Sequence, residues 1–260
     1  MEDYFIWVGE GMLVKVLPDT AMSMVGKLLE EVSWERATSY RQGGRGRENV
    51  LSAEVMMALD FLPRDHFLGA AMRAAKGAEQ ARNVLISEIE EADLRFLPGD
   101  MALAPNRSGN DQLVVQPDAL ITSPSSFVLV EAKRVRASSY QPEQLAREYL
   151  ATMAHAGTRT PLILLLGAKP PVLVRGRGRM RLEDAISSEL ESVLRRANNE
   201  QLALEGLVER IPDVFCWINW PELSDVIRTQ IAAFSTTDPS VNTAVHRLAE
   251  SICSSIEWHA

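Results

Sequence analysis

Two cysteines and four histidines among 260 residues are too few for most of the sites those side chains build. Cys216 and Cys253 are isolated from one another, which excludes a disulfide framework and a zinc knuckle and reads each as a reduced, buried thiol. His66, His155, His246 and His259 are scattered, so a histidine metal centre or a histidine-centred triad has no support. There is no GxxxxGK[ST] loop, which argues against an intrinsic ATP motor. No run of about 18 apolar residues could cross a bilayer. The opening Met1-Glu2-Asp3 lacks the charged-then-apolar pattern of a secretory signal, so a cytoplasmic protein without a membrane partner is expected. Positive charge is also short: 27 Lys and Arg face 35 Asp and Glu, a net charge of -8, which disfavours a general polyanion binder. No repeat or low-complexity segment stands out.

What is present is apolar content for a sizeable core, 46% of the chain. Residues 1–40 read as an appendage: two extended runs, Phe5-Ile6-Trp7-Val8 and Met12-Leu13-Val14-Lys15-Val16-Leu17, form a hairpin, and 22–32 a helix. Residues 41–260 read as the main domain, with a C-terminal strand and helices in 182–260.

Chemistry concentrates in two short elements. Leu113-Val114-Val115-Gln116-Pro117-Asp118-Ala119-Leu120-Ile121 and Phe127-Val128-Leu129-Val130-Glu131-Ala132-Lys133-Arg134 both read as strands, and Thr122-Ser123-Pro124-Ser125-Ser126 supplies the turn. Antiparallel pairing would set Asp118 beside Glu131. Glu131 and Lys133 would share one face of their strand and Ala132 the other. Phosphodiester hydrolysis needs a hard cation held by oxygen ligands, with positions left open for phosphate and water. An ammonium alongside can orient the water or offset charge on the phosphorane. The plain alternative is that Asp118 caps a turn after Pro117, and that Glu131 and Lys133 form an exposed surface pair. Against it, both charges follow directly on four apolar residues of a strand that reads as buried on both sides, where a charge needs a reason.

Asp118, Glu131 and Lys133 together resemble the PD-(D/E)xK nuclease superfamily, over roughly residues 45–180. The resemblance implies an α/β, restriction-endonuclease-like fold: a central mixed sheet flanked by helices, here with the N-terminal appendage. It implies that Asp118 and Glu131 bind Mg2+, with Mn2+ able to substitute, and that Lys133 assists the nucleophile. Many members carry a further acid on a preceding helix. Here 48–62 reads as that helix, with Leu51, Val55, Ala58, Leu59 and Leu62 as its apolar stripe. At ~100° per residue Glu48 lies about 40° from the stripe's centre and Glu54 about 80°, so Glu48 is the better third metal ligand and Glu54 reads as solvated. A first-turn acid placed against the helix dipole explains Glu48 equally well. In RecB-like branches a glutamine and a tyrosine after the motif strand contact the site. Gln144 and Tyr149 are similar but five residues apart rather than four, so Tyr149 reads as core and Gln144 as the site contact.

Around this motif, 83–93 reads as a first strand, Leu97-Pro98-Gly99-Asp100 as a turn, and Pro142 as the start of a helix carrying Leu145, Ala146, Tyr149, Leu150 and Met153. Pro161 to Gly167 and 214–220 read as further strands, and Pro221 as the opening of another helix.

Basic residues cluster locally. Arg175, Arg177, Arg179 and Arg181 alternate with Gly176, Gly178 and Met180 and would share a face on a strand. Arg41, Arg45 and Arg47 lie among glycines before Glu48, and Arg134 and Arg136 follow Lys133. Singly, each cluster reads as soluble turn chemistry. Together they predict a phosphate-binding cleft for DNA, or RNA, on an otherwise acidic body, with Arg45, Arg47, Arg134, Gln144, Arg175, Arg177 and Arg179 as contacts. A homodimer or a partner subunit in a larger complex would suit cutting of both strands. Two rivals are an inactive nuclease-fold binding subunit and an interaction protein. In the latter, the same charges form a structural network with Lys133 directed onto Glu131 or Asp118.

Overall fold

The computed structural model describes residues 4–8, 12–16, 46–103, 113–133, 139–197 and 203–259, with side chains described from residue 50 onward. The two N-terminal runs pair as an antiparallel hairpin, β1 (Tyr4–Val8) and β2 (Met12–Val16), in the register Tyr4↔Val16 to Val8↔Met12. The predicted helix at 22–32 lies outside the described residues.

Helix α1 (Gly46–Phe61) opens the main body, followed by a π-helical turn at Asp65–Gly69, α2 (Ala70–Ala74) and α3 (Glu79–Ser87). The expected first strand over 83–93 is therefore mostly helical; the strand is β3 (Asp93–Phe96). Ala81, Arg82 and Leu85 are buried at helical spacing, and that period wins over the apolar run at its end. After the turn, where Leu97 and Gly99 take positive φ of 43° and 93°, come β4 (Met101–Ala102), β5 (Val114–Val115), β6 (Ala119–Thr122) and β7 (Ser126–Ala132). The expected single strand over 113–121 is broken at Gln116-Pro117-Asp118. β5 pairs with β4 in a separate ribbon, while β6 enters the main sheet. Pro117 has no N–H to give to a ladder, which suits it to the break.

The chain continues through α4 (Pro142–Ala156), β8 (Thr160–Leu166), β9 (Val172–Val174), β10 (Gly178–Met180), α5 (Leu182–Arg196), α6 (Leu204–Val214), β11 (Phe215–Ile218), α7 (Trp220–Ala233) and α8 (Pro239–His259). Both expected helix-opening prolines hold their places, Pro142 in α4 and Pro221 in α7. Asn219 closes a capping box with Glu222, so helix begins at Trp220, inside the stretch read as strand.

The central sheet has five strands in the order β11-β8-β7-β6-β3, with β8 parallel to both β7 and β11 and the β7-β6-β3 side antiparallel. Helices cover both faces. Val128, Val130 and Ala132 of β7 join the core built with α1, α2, α3, α7 and α8. Phe127 and Leu129 join the opposite core, with α4, α5 and α6. Every residue of β7 is buried, as its apolar run requires of a central strand.

Candidate functional site

Three parallel strands end side by side. Beyond β7 the Lys133 N–H donates to Leu166 O at 2.8 Å, and beyond β8 the Gly167 N–H donates to Ile218 O at 2.8 Å. Asp118 sits where the β6-β7 ladder stops. Its N–H donates to Val130 O at 3.2 Å, its carbonyl accepts from Leu97 at 2.9 Å, and its Oδ2 accepts the Ala132 N–H at 2.7 Å. A carboxylate thus satisfies a strand-end donor that the break at Pro117 would leave open.

Alternation sets the faces. Asp118 lies two positions before Leu120, and Glu131 two after Leu129; both leucines belong to the α4-side core. Asp118 and Glu131 therefore leave paired strands on the same side, one step beyond the Ala119↔Val130 pair. Lys133 joins them there. Its ammonium bonds Glu131 Oε1 and lies 5.2 Å from the centre of the Tyr140 ring. The pair is nearly dry, with side-chain exposure of 13% for Lys133 and 4% for Glu131.

Helix α4 contributes the rest. Gln144 Nε2 donates to Glu131 Oε1 at 2.7 Å and to Glu148 Oε1 at 2.7 Å, so one amide bridges two carboxyl groups. Glu148 is buried, and its Oε2 has no hydrogen-bond partner. Burial first, and then the Glu131 charge, push the Glu148 carboxyl well above the usual carboxylate range, while Lys133 pulls the other way. Sequence reasoning missed Glu148. The signal was there: a carboxylate four residues after Gln144 and three after Leu145, inside the helix's apolar stripe. Tyr149 is core as expected, buried with its hydroxyl donating to Leu207 O at 2.7 Å.

The arginine-glycine segment differs from expectation. Arg175 and Arg177 occupy the turn of a β9-β10 hairpin, Arg179 lies on β10 and Arg181 precedes α5, so the four do not share one strand face. Gly176 and Gly178, with φ of 76° and 77°, adopt the left-handed backbone that makes this turn. Arg177 bonds Ser188 and Glu189, and Arg179 bonds Pro171 O. Arg175 is exposed. Its backbone N–H donates to Tyr140 O at 3.1 Å, and Tyr140 N–H donates to Leu173 O at 2.8 Å, which ties the hairpin to the residue beneath Lys133.

Arg41, Arg45, Arg134 and Arg136 lie outside the described residues, and Arg47 and Glu48 outside the described side chains. The helix bearing Glu48, α1, packs its Leu51, Val55 and Leu59 into the core on the sheet face opposite Glu131. Glu54 lies 3.8 Å from the His259 ring.

Among the described residues, no three His, Cys, Asp or Glu side chains are placed together to hold a metal ion. The donors that do share a face, the carboxylates of Asp118 and Glu131, are hard oxygens. They suit magnesium, which binds through one or two carboxylates and keeps several waters, rather than zinc or a closed calcium cage. Comparison with models of protein families, with curated proteins and with solved structures gave no match.

Proposed function

We propose that this chain is a divalent-cation-dependent nuclease of the PD-(D/E)xK type, with a restriction-endonuclease-like arrangement and DNA as its leading substrate. One observation carries the reading: Asp118 and Glu131 leave neighbouring strands on one face, and the Lys133 ammonium reaches Glu131 there. Asp118 and Glu131 are the residues to hold magnesium, or manganese in its place. The bound cation would polarise a phosphate oxygen and neutralise developing charge. Lys133, steadied by Glu131 and the Tyr140 ring, orients the attacking water and offsets charge on the phosphorane. Gln144 fixes the carboxylate of Glu131. Arg175, anchored through Tyr140, meets a backbone phosphate.

The test is cleavage of plasmid and oligonucleotide with magnesium, manganese or chelator, run beside Asp118→Ala and Lys133→Ala. Metal-dependent cutting by the wild type alone is the expected outcome; cutting that persists in both variants would indicate a contaminant.

A second reading, an interaction protein with a structural charge network, has its own observation. Lys133 is directed onto Glu131, and no three-ligand cluster occurs among the described residues. Inactivity of the wild type with every metal, together with a lower melting temperature for Lys133→Ala, would favour it.

A further inference from the structure

Lys133 is held by its backbone as well as by its ammonium. Its N–H donates to Leu166 O at 2.8 Å, and its carbonyl accepts the indole N–H of Trp220 at 2.6 Å. Trp220 is almost fully buried in the first turn of α7, and the Asn219–Glu222 capping box fixes where that turn starts. Gly167 makes the bond sterically possible. A Cβ there would lie 2.2 Å from Trp220 Nε1 and 2.5 Å from Lys133 O, and its φ of 83° is one that side chains rarely adopt. The indole therefore reaches across the end of β8 to the end of β7 through a gap that only glycine leaves open. A buried tryptophan with its N–H satisfied by a carbonyl is ordinary; a carbonyl belonging to the lysine of the charge cluster is not.

We propose that Trp220 is a positioning residue for Lys133, its indole N–H holding the Lys133 carbonyl so that the ammonium is delivered beside Glu131. The inference rests on the nuclease reading. Without the bond, the peptide after Lys133 loses its tie to α7, and the ammonium samples directions that miss the attacking water. Substrate affinity should be untouched, because Trp220 is buried and presents no surface to a substrate.

The experiment compares Trp220→Phe, which keeps an aromatic ring but deletes the indole donor, with Leu223→Ala, which opens a cavity at another buried residue of the same helix. Magnesium-dependent cleavage gives kcat and KM, anisotropy of a labelled duplex in chelator gives affinity, and melting curves report the fold. Trp220→Phe is expected to lower kcat about tenfold, equivalent to ~1.4 kcal/mol in the barrier, with KM and affinity within about twofold of wild type. Leu223→Ala should lower the melting temperature and keep kcat per folded molecule. Gly167→Ala, which forces the same bond apart, should share the kcat loss of Trp220→Phe. Wild-type kcat in Trp220→Phe, or a loss matched by Leu223→Ala once unfolding is counted, would overturn the inference and leave the nuclease reading standing. A wild type that cuts nothing with any metal would remove both.

Discussion

The two faces of the central sheet are made by the same strands yet end differently. On the α1-α7-α8 side, β7 presents Val128, Val130 and Ala132, apolar to the last residue. On the α4 side it presents Phe127 and Leu129, and then Glu131. Nothing in the strand's hydrogen bonding calls for the change, because the ladder to β8 runs unbroken from Ser126 to Ala132. Burying a charge costs free energy unless partners meet it, and partners have been assembled: Lys133, Gln144 and, beyond them, Glu148. The lesson is that one face is apolar to its edge, while the other buries a charged cluster at its edge and must satisfy it with partners.

That contrast can be broken most sharply at Lys133. Lys133→Ala should reduce cleavage by about 10²–10³-fold, in the range found for deleting one group that stabilises transition-state charge. Steady-state rates in magnesium check it, and a wild-type rate would return Lys133 to a structural role. On the other face, Leu162→Ala should cost about 3 kcal/mol of stability in urea unfolding, since Leu162 is fully buried, and leave kcat per folded molecule unchanged.

Glu148 offers a subtler test. Its carboxyl titrates above the ordinary 4.5, so the folded protein binds a proton more tightly than the unfolded chain. The stability this contributes is complete below 4.5 and is lost as pH rises through the elevated value. Glu148→Gln should therefore melt above wild type at pH 8, with the gap closing towards pH 4. A pH-independent gap would contradict the assignment. The smallest effect belongs to Arg175→Ala: the slope of log affinity for duplex DNA against log salt should fall by about one, while Arg177→Ala, whose guanidinium already meets Glu189, changes it less.

How far the sequence was legible follows from where local rules govern. The burial of 127–130, the apolar run at 161–167 and the two helix-opening prolines are local signals, and each produced its element. So did the turn that sets β6 against β7 and brings Asp118 and Glu131 to one face. Regions where periods compete were misread: 83–93 carries a strand-like run inside helical spacing, and the glycines of 175–181 turn an apparent strand into a hairpin tip. Trp220 escaped because its role depends on α7 docking at the strand ends, a tertiary fact that no spacing encodes, whereas Glu148 carried a signal in its place within the apolar stripe of α4. The alternation that pointed four arginines one way assumed a regular strand, and two positive-φ glycines end that assumption.

The most direct measurement of the central claim is the anomalous scattering of manganese in crystals soaked with the ion. The account predicts one peak within coordination distance of both the Asp118 and Glu131 carboxylates, absent from crystals of Asp118→Ala. A map without that peak, with the Lys133 ammonium still bonded to Glu131 at saturating manganese, would contradict it.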